Sequence, residues 1–339
     1  LNPLDVGIAG HARDRGSVPW YKKACTATGA SVKLFSAFKL SLQQSDKSIV
    51  TVSETPSTVR ERALRALGQL PPFSPILNRL IASLAQEDVS FAKVADLLEK
   101  DTVLAGNVLR LVNSALYGLR GTVNSIRHAV SLLGIVKLRN ATLGMSVARM
   151  WAQIKTPPGW SMARFNHHSV GVAILSDLVA QRRAVSYAEG AFAAGLFHDL
   201  GLLLVAMGLP EEYKEISLMC EQTDKQPLEC EFEVLGLTHA ELSSWALAAW
   251  NLPRPIQMAV RYQDKPDLDP SETENNELSL SSILNAADGH LNSTGTSISL
   301  FDGKPKDGQI ALDSLGLGER LPTLLTEFEA EFTAMKRYF

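Results

Sequence analysis

Between Ala191 and Leu209 the chain is apolar except for one adjacent pair, His198-Asp199, set at the middle of the run. As a bilayer span it would carry a carboxylate at the midplane, at a cost of about 3 kcal/mol. Gly195, Gly201 and Gly208 also punctuate it. The run therefore reads as buried helices of a water-facing core. The length of 339 residues allows one large domain or two to three ordinary ones. Hydrophobic residues at 45% and charged residues at 20% exclude a wholly disordered chain, a collagen-like fibre and a disulfide miniprotein.

Charge narrows the partners. The net charge of −3 gives no whole-chain positive field for nucleic acid or anionic lipid. The charge is uneven: residues 1–60 hold eight Lys/Arg against four Asp/Glu, which leaves −7 for the rest. The first 55 residues, rich in Ser, Thr, Ala and Gly, read as a tail or partial module without an assigned role. Cys25, Cys220 and Cys230 show no metal-type spacing, and such sparse usage suits a reducing cytosol. The opening LNPLDVGIAGHARDRG lacks the apolar core of a signal peptide. The expectation is a cytoplasmic protein without membrane contact.

From Ser57 onward the period is helical. Ser57 or Thr58 can cap TVRERALRAL, Ser90 can cap FAKVADLLEK, Asp101 or Thr102 can cap VLAGNVLRLVNSA, and Asn124 or Ser125 can cap IRHAVSLLG. A further helix is expected over 135–154, and Pro157-Pro158-Gly159 then separates a second block. Helices are predicted there at 164–183, 186–197, 199–207, 210–223, 227–235, 238–250, 253–263 and 277–291, joined by short connections as in bundles. A terminal helix over 321–339 carries Leu324, Leu325, Phe328, Phe332 and Met335 on one stripe. Within 297–315 a short strand pair is expected around ISLF and QIAL. The fold class is all-α, divided as a tail (1–55), an N-terminal helical subdomain (56–156), a second helical subdomain (160–295) and a C-terminal extension (296–339).

Chemistry resides where polar groups interrupt apolar faces. Asp288 shares a helical stripe with Leu280, Leu284 and Leu291, so its carboxylate needs a partner or a metal. His198-Asp199 has a local reading, Asp199 capping LGLLLVAM with His198 packed beneath, and a functional one, two adjacent donors on one cation. His168 precedes Val172, Leu175 and Val179, but His167 precedes Val170, Ile174 and Leu178, so periodicity does not choose between them. His239 follows Thr238 at a helix start, near a cap. Imidazole nitrogen and carboxylate oxygen suit Zn, Fe, Mn or Ni.

The order His168, His198-Asp199, Asp288 resembles the metal signature of the HD superfamily of phosphohydrolases. The stretches LPPFSPILNRLIASL (70–84), LLEKDTVLAGNVLRLVNSALYGLRGTVNSIRHAVSLLG (97–134), NHHSVGVAILSDLVA (166–180), GLFHDLGLLLV (195–205) and LGLTHAELSSWALAAWNLP (235–253) are similar to the HDOD domain, a regulatory relative. The resemblance implies an HD-like bundle packed on the N-terminal helical subdomain. It implies a single divalent ion on His168, His198, Asp199 and Asp288, with His239 as a further candidate. It also implies a bacterial signalling module that binds a protein partner, or a nucleotide or phosphorylated ligand, at a helical cleft. Asn113, Tyr117 and Gly118 lie in the family's hallmark segment, with a structural role expected for them.

Two departures separate the chain from catalytic relatives. Tyr262 and Gln263 stand where two-metal phosphodiesterases carry further histidines, and Leu202 stands where HDIGK has its lysine. Arg164, Arg182, Arg183 and Arg261 remain as basic candidates for a phosphate. A non-catalytic regulatory role is therefore expected, with a mononuclear phosphohydrolase as the alternative, in which Asp199 would be the catalytic carboxylate.

Overall fold

The computed structural model describes residues 61–63, 65–84, 91–118, 121–271, 277–298 and 310–339. The amino-terminal tail and the predicted caps Ser57, Thr58 and Ser90 lie outside them. The chain from Glu54 to Phe339 holds together as one compact unit. The described residues contain α1 (Pro75–Ser83), α2 (Phe91–Lys100), α3 (Thr102–Val112), α4 (Ile126–Leu133) and α5 (Ile135–Trp151). The second block follows as α6 (Met162–Ala180), α7 (Ala191–Phe197), α8 (Leu200–Gly208), α9 (Pro210–Gln222) and α10 (Pro227–Leu235). It ends with α11 (His239–Ala249), α12 (Arg254–Arg261), α13 (Leu280–Ser293) and α14 (Leu321–Met335).

Caps set many of these starts. The side chains of Ser74, Asp101, Ser125, Ser161, Thr238 and Ser279 each accept from a backbone N–H in the first turn of the helix that follows. Asp101 and Ser125 thus resolve two of the three cap alternatives left open by the sequence. Asp199 departs from its local reading: it stands at the N-cap position of α8 but makes no side-chain cap hydrogen bond.

Strands are absent among the described residues, where the one strand-like pairing is an isolated bridge between Val185 and Leu278. The expected strand pair does not form where it can be followed. Ile310 and Ala311 are irregular and Leu312–Leu315 is a 3-10 turn that packs on α13. Most of ISLF lies outside the described residues. A short apolar run flanked by glycine serves a capping turn as readily as a strand, and here Gly316 takes the left-handed conformation that ends it.

One hydrophobic core runs through both blocks, from Leu77 and Leu104 to Leu175, Leu203 and Phe328. Helix α6 is its axis, packed by α7, α13, α14 and α5. Most of its residues are buried because it has neighbours on nearly every side. The segment Ala188–Gly208 is apolar and long enough to cross a membrane by composition, yet an 18-residue stretch of it is 94% buried inside the protein and the helix breaks at His198-Asp199. An aromatic chain links the blocks: Phe73 lies 4.5 Å from Trp250, Trp250 lies 5.9 Å from Phe197, and Phe197 lies 6.2 Å from Trp151. Phe197 immediately precedes His198, so the polar pair sits at the end of a stiff apolar girder.

Two glycines fix how closely the helices approach. A Cβ on Gly195 would lie 2.6 Å from the Ala173 Cα, so α7 can press backbone to backbone on α6. A Cβ on Gly201 would lie 2.0 Å from the His239 carbonyl oxygen, so α8 lies directly against the start of α11. These glycines bracket His198-Asp199 and bring it within reach of both neighbouring helices.

Candidate metal centre

Four side chains from three places in the bundle meet below α7: His168 from the middle of α6, His198-Asp199 from the break between α7 and α8, and Asp288 from α13. One ligand atom from each lies within 4.8 Å of all the others. None of the four side chains is more than 6% exposed. His167 is only partly buried and takes no part in this set, so the register question between the two histidines resolves to His168.

The hydrogen bonds orient the rings. His168 Nδ1 is 2.6 Å from the Thr296 carbonyl and His198 Nδ1 is 2.7 Å from the Gly195 carbonyl. A carbonyl only accepts, so each ring holds its proton at Nδ1 and presents Nε2 inward. The two Nε2 atoms are 3.2 Å apart. Asp288 Oδ1 lies 3.0 Å from His168 Nε2, and Asp199 Oδ2 lies 3.1 Å from His198 Nε2 and 3.5 Å from His168 Nε2. Asp199 Oδ2 is buried and accepts no hydrogen bond. Four electron-pair donors thus converge without a positive charge among them, an arrangement that needs a cation or added protons. Burial opposes charging of His198, but the carboxylates of Asp199 and Asp288 outweigh it and raise its pKa to about 9. Burial likewise opposes ionisation of Asp199, yet His198 and His239 hold its carboxyl well below the usual range. The pull on protons marks the same demand for positive charge that two nitrogens and two oxygens place on one divalent ion.

His239 reaches the centre from a different side. Its Nε2 lies 3.2 Å from Asp199 Oδ1, the oxygen turned away from His168 and His198. Burial opposes charging of His239, but Glu231, Asp264 and Asp199 raise its pKa well above the ordinary value. Glu231, which no sequence pattern singled out, holds the ring: both its oxygens lie 2.9 Å from Nδ1, and Oε2 accepts the His239 backbone N–H at 2.7 Å. Asn292, one turn beyond Asp288, donates to Asp288 Oδ1 at 2.8 Å.

The four candidate arginines are engaged elsewhere. Arg164 donates to Ser297, Arg182 pairs with Glu327, Arg183 donates to the Gly316 carbonyl, and Arg261 pairs with Glu241 at 2.9 Å. Leu202 is buried in the core. In the hallmark segment, Asn113 donates to the Val123 carbonyl at 2.7 Å and accepts the Val123 N–H at 2.8 Å, which closes the intervening loop.

The HDOD domain family model matches residues 70–266, more than half of the chain. The chain belongs to the HDOD family. Its HDOD fold is shared with an HDOD domain protein of unknown function from Geobacter sulfurreducens, at TM-score 0.66 and 22% identity, covering 83% of this chain and 99% of that one. A candidate signal transduction protein from Marinobacter aquaeolei is similar at TM-score 0.62 and 22% identity, covering 84% of this chain and 66% of that one. A candidate phosphohydrolase from Shewanella amazonensis is similar at TM-score 0.60 and 24% identity, covering 82% and 97%. An uncharacterized protein of Treponema pallidum is 23% identical over 212 residues, 61% of this chain but only 40% of the length of that relative.

Proposed function

We propose that this HDOD protein is a non-catalytic signalling module whose single divalent ion ties three parts of the bundle together. His168, His198, Asp199 and Asp288 hold the ion, and Fe, Mn, Zn and Ni all suit two imidazole nitrogens and two carboxylate oxygens. The carrying observation is enclosure: every ligand side chain is at most 6% exposed, so the four ligands offer a substrate phosphate almost no surface. The engagement of Arg164, Arg182, Arg183 and Arg261 supports the same reading, because phosphoryl transfer needs positive groups aimed at the developing charge.

The partner surface lies at the seam of the two blocks. A cavity of about 690 Å³ opens between α1, α3, α5 and the start of α6. Apolar Ile76, Leu104 and Met145 line it, and the ion pair of Asp101 and Arg149, at 3.0 Å, stands on its wall. Mixed walls of this size take a signalling protein's side chains or a nucleotide-like ligand. The similarity to the Marinobacter protein supports a signalling role.

The decisive experiment pairs metal counting with a phosphate-release assay. Protein purified without chelators is expected to carry one transition-metal ion per chain, to melt higher with metal than without, and to release no phosphate from nucleotides. Release by the wild type that vanishes in His198→Ala would establish the second reading, a mononuclear phosphohydrolase. That reading draws on the bare Asp199 Oδ2, since a bound divalent ion can supply an activated water.

A further inference from the structure

Asp199 looks two ways. Its Oδ2 faces His168 and His198, while its Oδ1 faces His239 Nε2 at 3.2 Å and Gln263 Nε2 at 3.4 Å. On this second side the donors again converge. Asp264 Oδ2 lies 3.5 Å from His239 Nε2, and Glu231 orients the His239 ring through Nδ1 just as backbone carbonyls orient the other two rings. A bridging carboxylate with an imidazole and a second carboxylate on its far side is the donor set of a second cation position.

The side-chain amide of Gln263 stands in that position. Its Nε2 lies 3.2 Å from His239 Nε2, 3.2 Å from the His198 carbonyl and 3.4 Å from Asp199 Oδ1. The residue is only 3% exposed, and its own backbone carbonyl is fixed by Asn285 Nδ2 at 2.8 Å. Asn285 is fixed in turn by the Ile310 N–H at 2.7 Å. An amide nitrogen has no lone pair free for a metal, but its two polar hydrogens offer partial positive charge to surrounding acceptors. Gln263 Oε1 makes no hydrogen bond, so the amide is held by its nitrogen end.

We propose that Gln263 sets the nuclearity of the centre: its amide fills the place of a second cation beside Asp199 and restricts the chain to one ion. The inference rests on the mononuclear centre proposed above. Replacing the amide by a ligand joins it to Asp199 Oδ1, His239 Nε2 and Asp264 Oδ2 and opens the second position, with Asp199 bridging.

The test uses the full chain, with Mn2+ alone as the probe, equilibrium dialysis, metal counting and electron paramagnetic resonance. The wild type is expected to bind one ion per chain with the spectrum of an isolated ion. Gln263→Glu is expected to bind two and to show a spin-coupled pair. Gln263→His adds a ligand without a further carboxylate, so it carries the test where charge crowding unfolds Gln263→Glu. Two ions in the wild type would overturn the inference and leave the first site standing. One ion in the wild type and still one in a folded variant, with helical circular dichroism unchanged, would also overturn it alone. No ion in the wild type would remove both the mononuclear reading and this one.

Discussion

Gly134 and Asn113 in the first helical block do work opposite to that of Gly201 and Asp199 in the second. In the first block Gly134, between α4 and α5, has φ +77 and ψ 163 with open space around its Cα, so it is there for its backbone. In the second block Gly201 is helical but crowded, and it is there because nothing larger fits against His239. Polar groups divide in the same way. Asn113 closes a loop by donating and accepting within its own neighbourhood. Asp199 sits at a helix start, yet turns from the local cap toward histidines on distant helices. Polar groups satisfied locally shape the chain. Those left facing one another across a core make the site.

The largest test of that contrast is Gly201→Ala, expected to cost more than about 3 kcal/mol because the added carbon meets backbone that cannot yield. Chemical denaturation measures it, and metal affinity should fall with it as α11 is displaced. A folded, metal-binding Gly201→Ala of wild-type stability would erase the distinction. Next comes His198→Ala, expected to remove metal-dependent stabilisation worth about 2.7 kcal/mol at a hundredfold excess of metal over Kd. Melting with and without chelator reads it, and the variant's two curves should coincide. In the first block, Gly134→Ala should cost about 2 kcal/mol through backbone strain. Asn113→Ala should cost about the same through its orphaned loop groups. Dialysis should find metal binding unchanged in both, and a loss of metal in either would join the two regions that the comparison separates.

The smallest expected effect lies at the seam between the blocks. Asn140 on α5 donates to Asp177 Oδ1 on α6 at 3.1 Å, and Gln181 donates to Asp177 Oδ2 at 2.7 Å. Burial, against the pull of Gln181, raises the Asp177 pKa from 3.8 to about 6. Its native form therefore binds protons more tightly than its unfolded form, and its contribution to stability falls as pH rises between those values. Asp177→Asn is expected to gain about 1 kcal/mol at pH 8, less than the shift alone implies because one donor loses its acceptor. Denaturation at pH 8 and pH 3.5 checks this, since the advantage should vanish at the lower value.

Much of the molecule was legible because local rules decided it. Helix periodicity and caps such as Ser125 and Thr238 placed most helices to within a few residues. His198-Asp199 and Asp288 announced themselves as polar interruptions of apolar faces. The choice between His167 and His168 was not legible, since both precede apolar sets and only the packing of α7 and α13 on α6 separates them. Glu231 and Asn285 were silent as site components for the same reason, and Gln263 stood out only through the family resemblance. Each is one polar residue among many, and its role exists only once its helix meets another. The 3-10 turn at Leu312 was misread as a strand because four residues carry too little pattern to tell the two apart.

The hydrogen bond from His168 to Thr296 joins residues 128 positions apart. Closing a span of that length is entropically slow and is rewarded only after the intervening helices have docked. The ligand cluster is therefore a non-local product of the fold: loosening α13 from α6 would scatter its donors, however intact each helix remained.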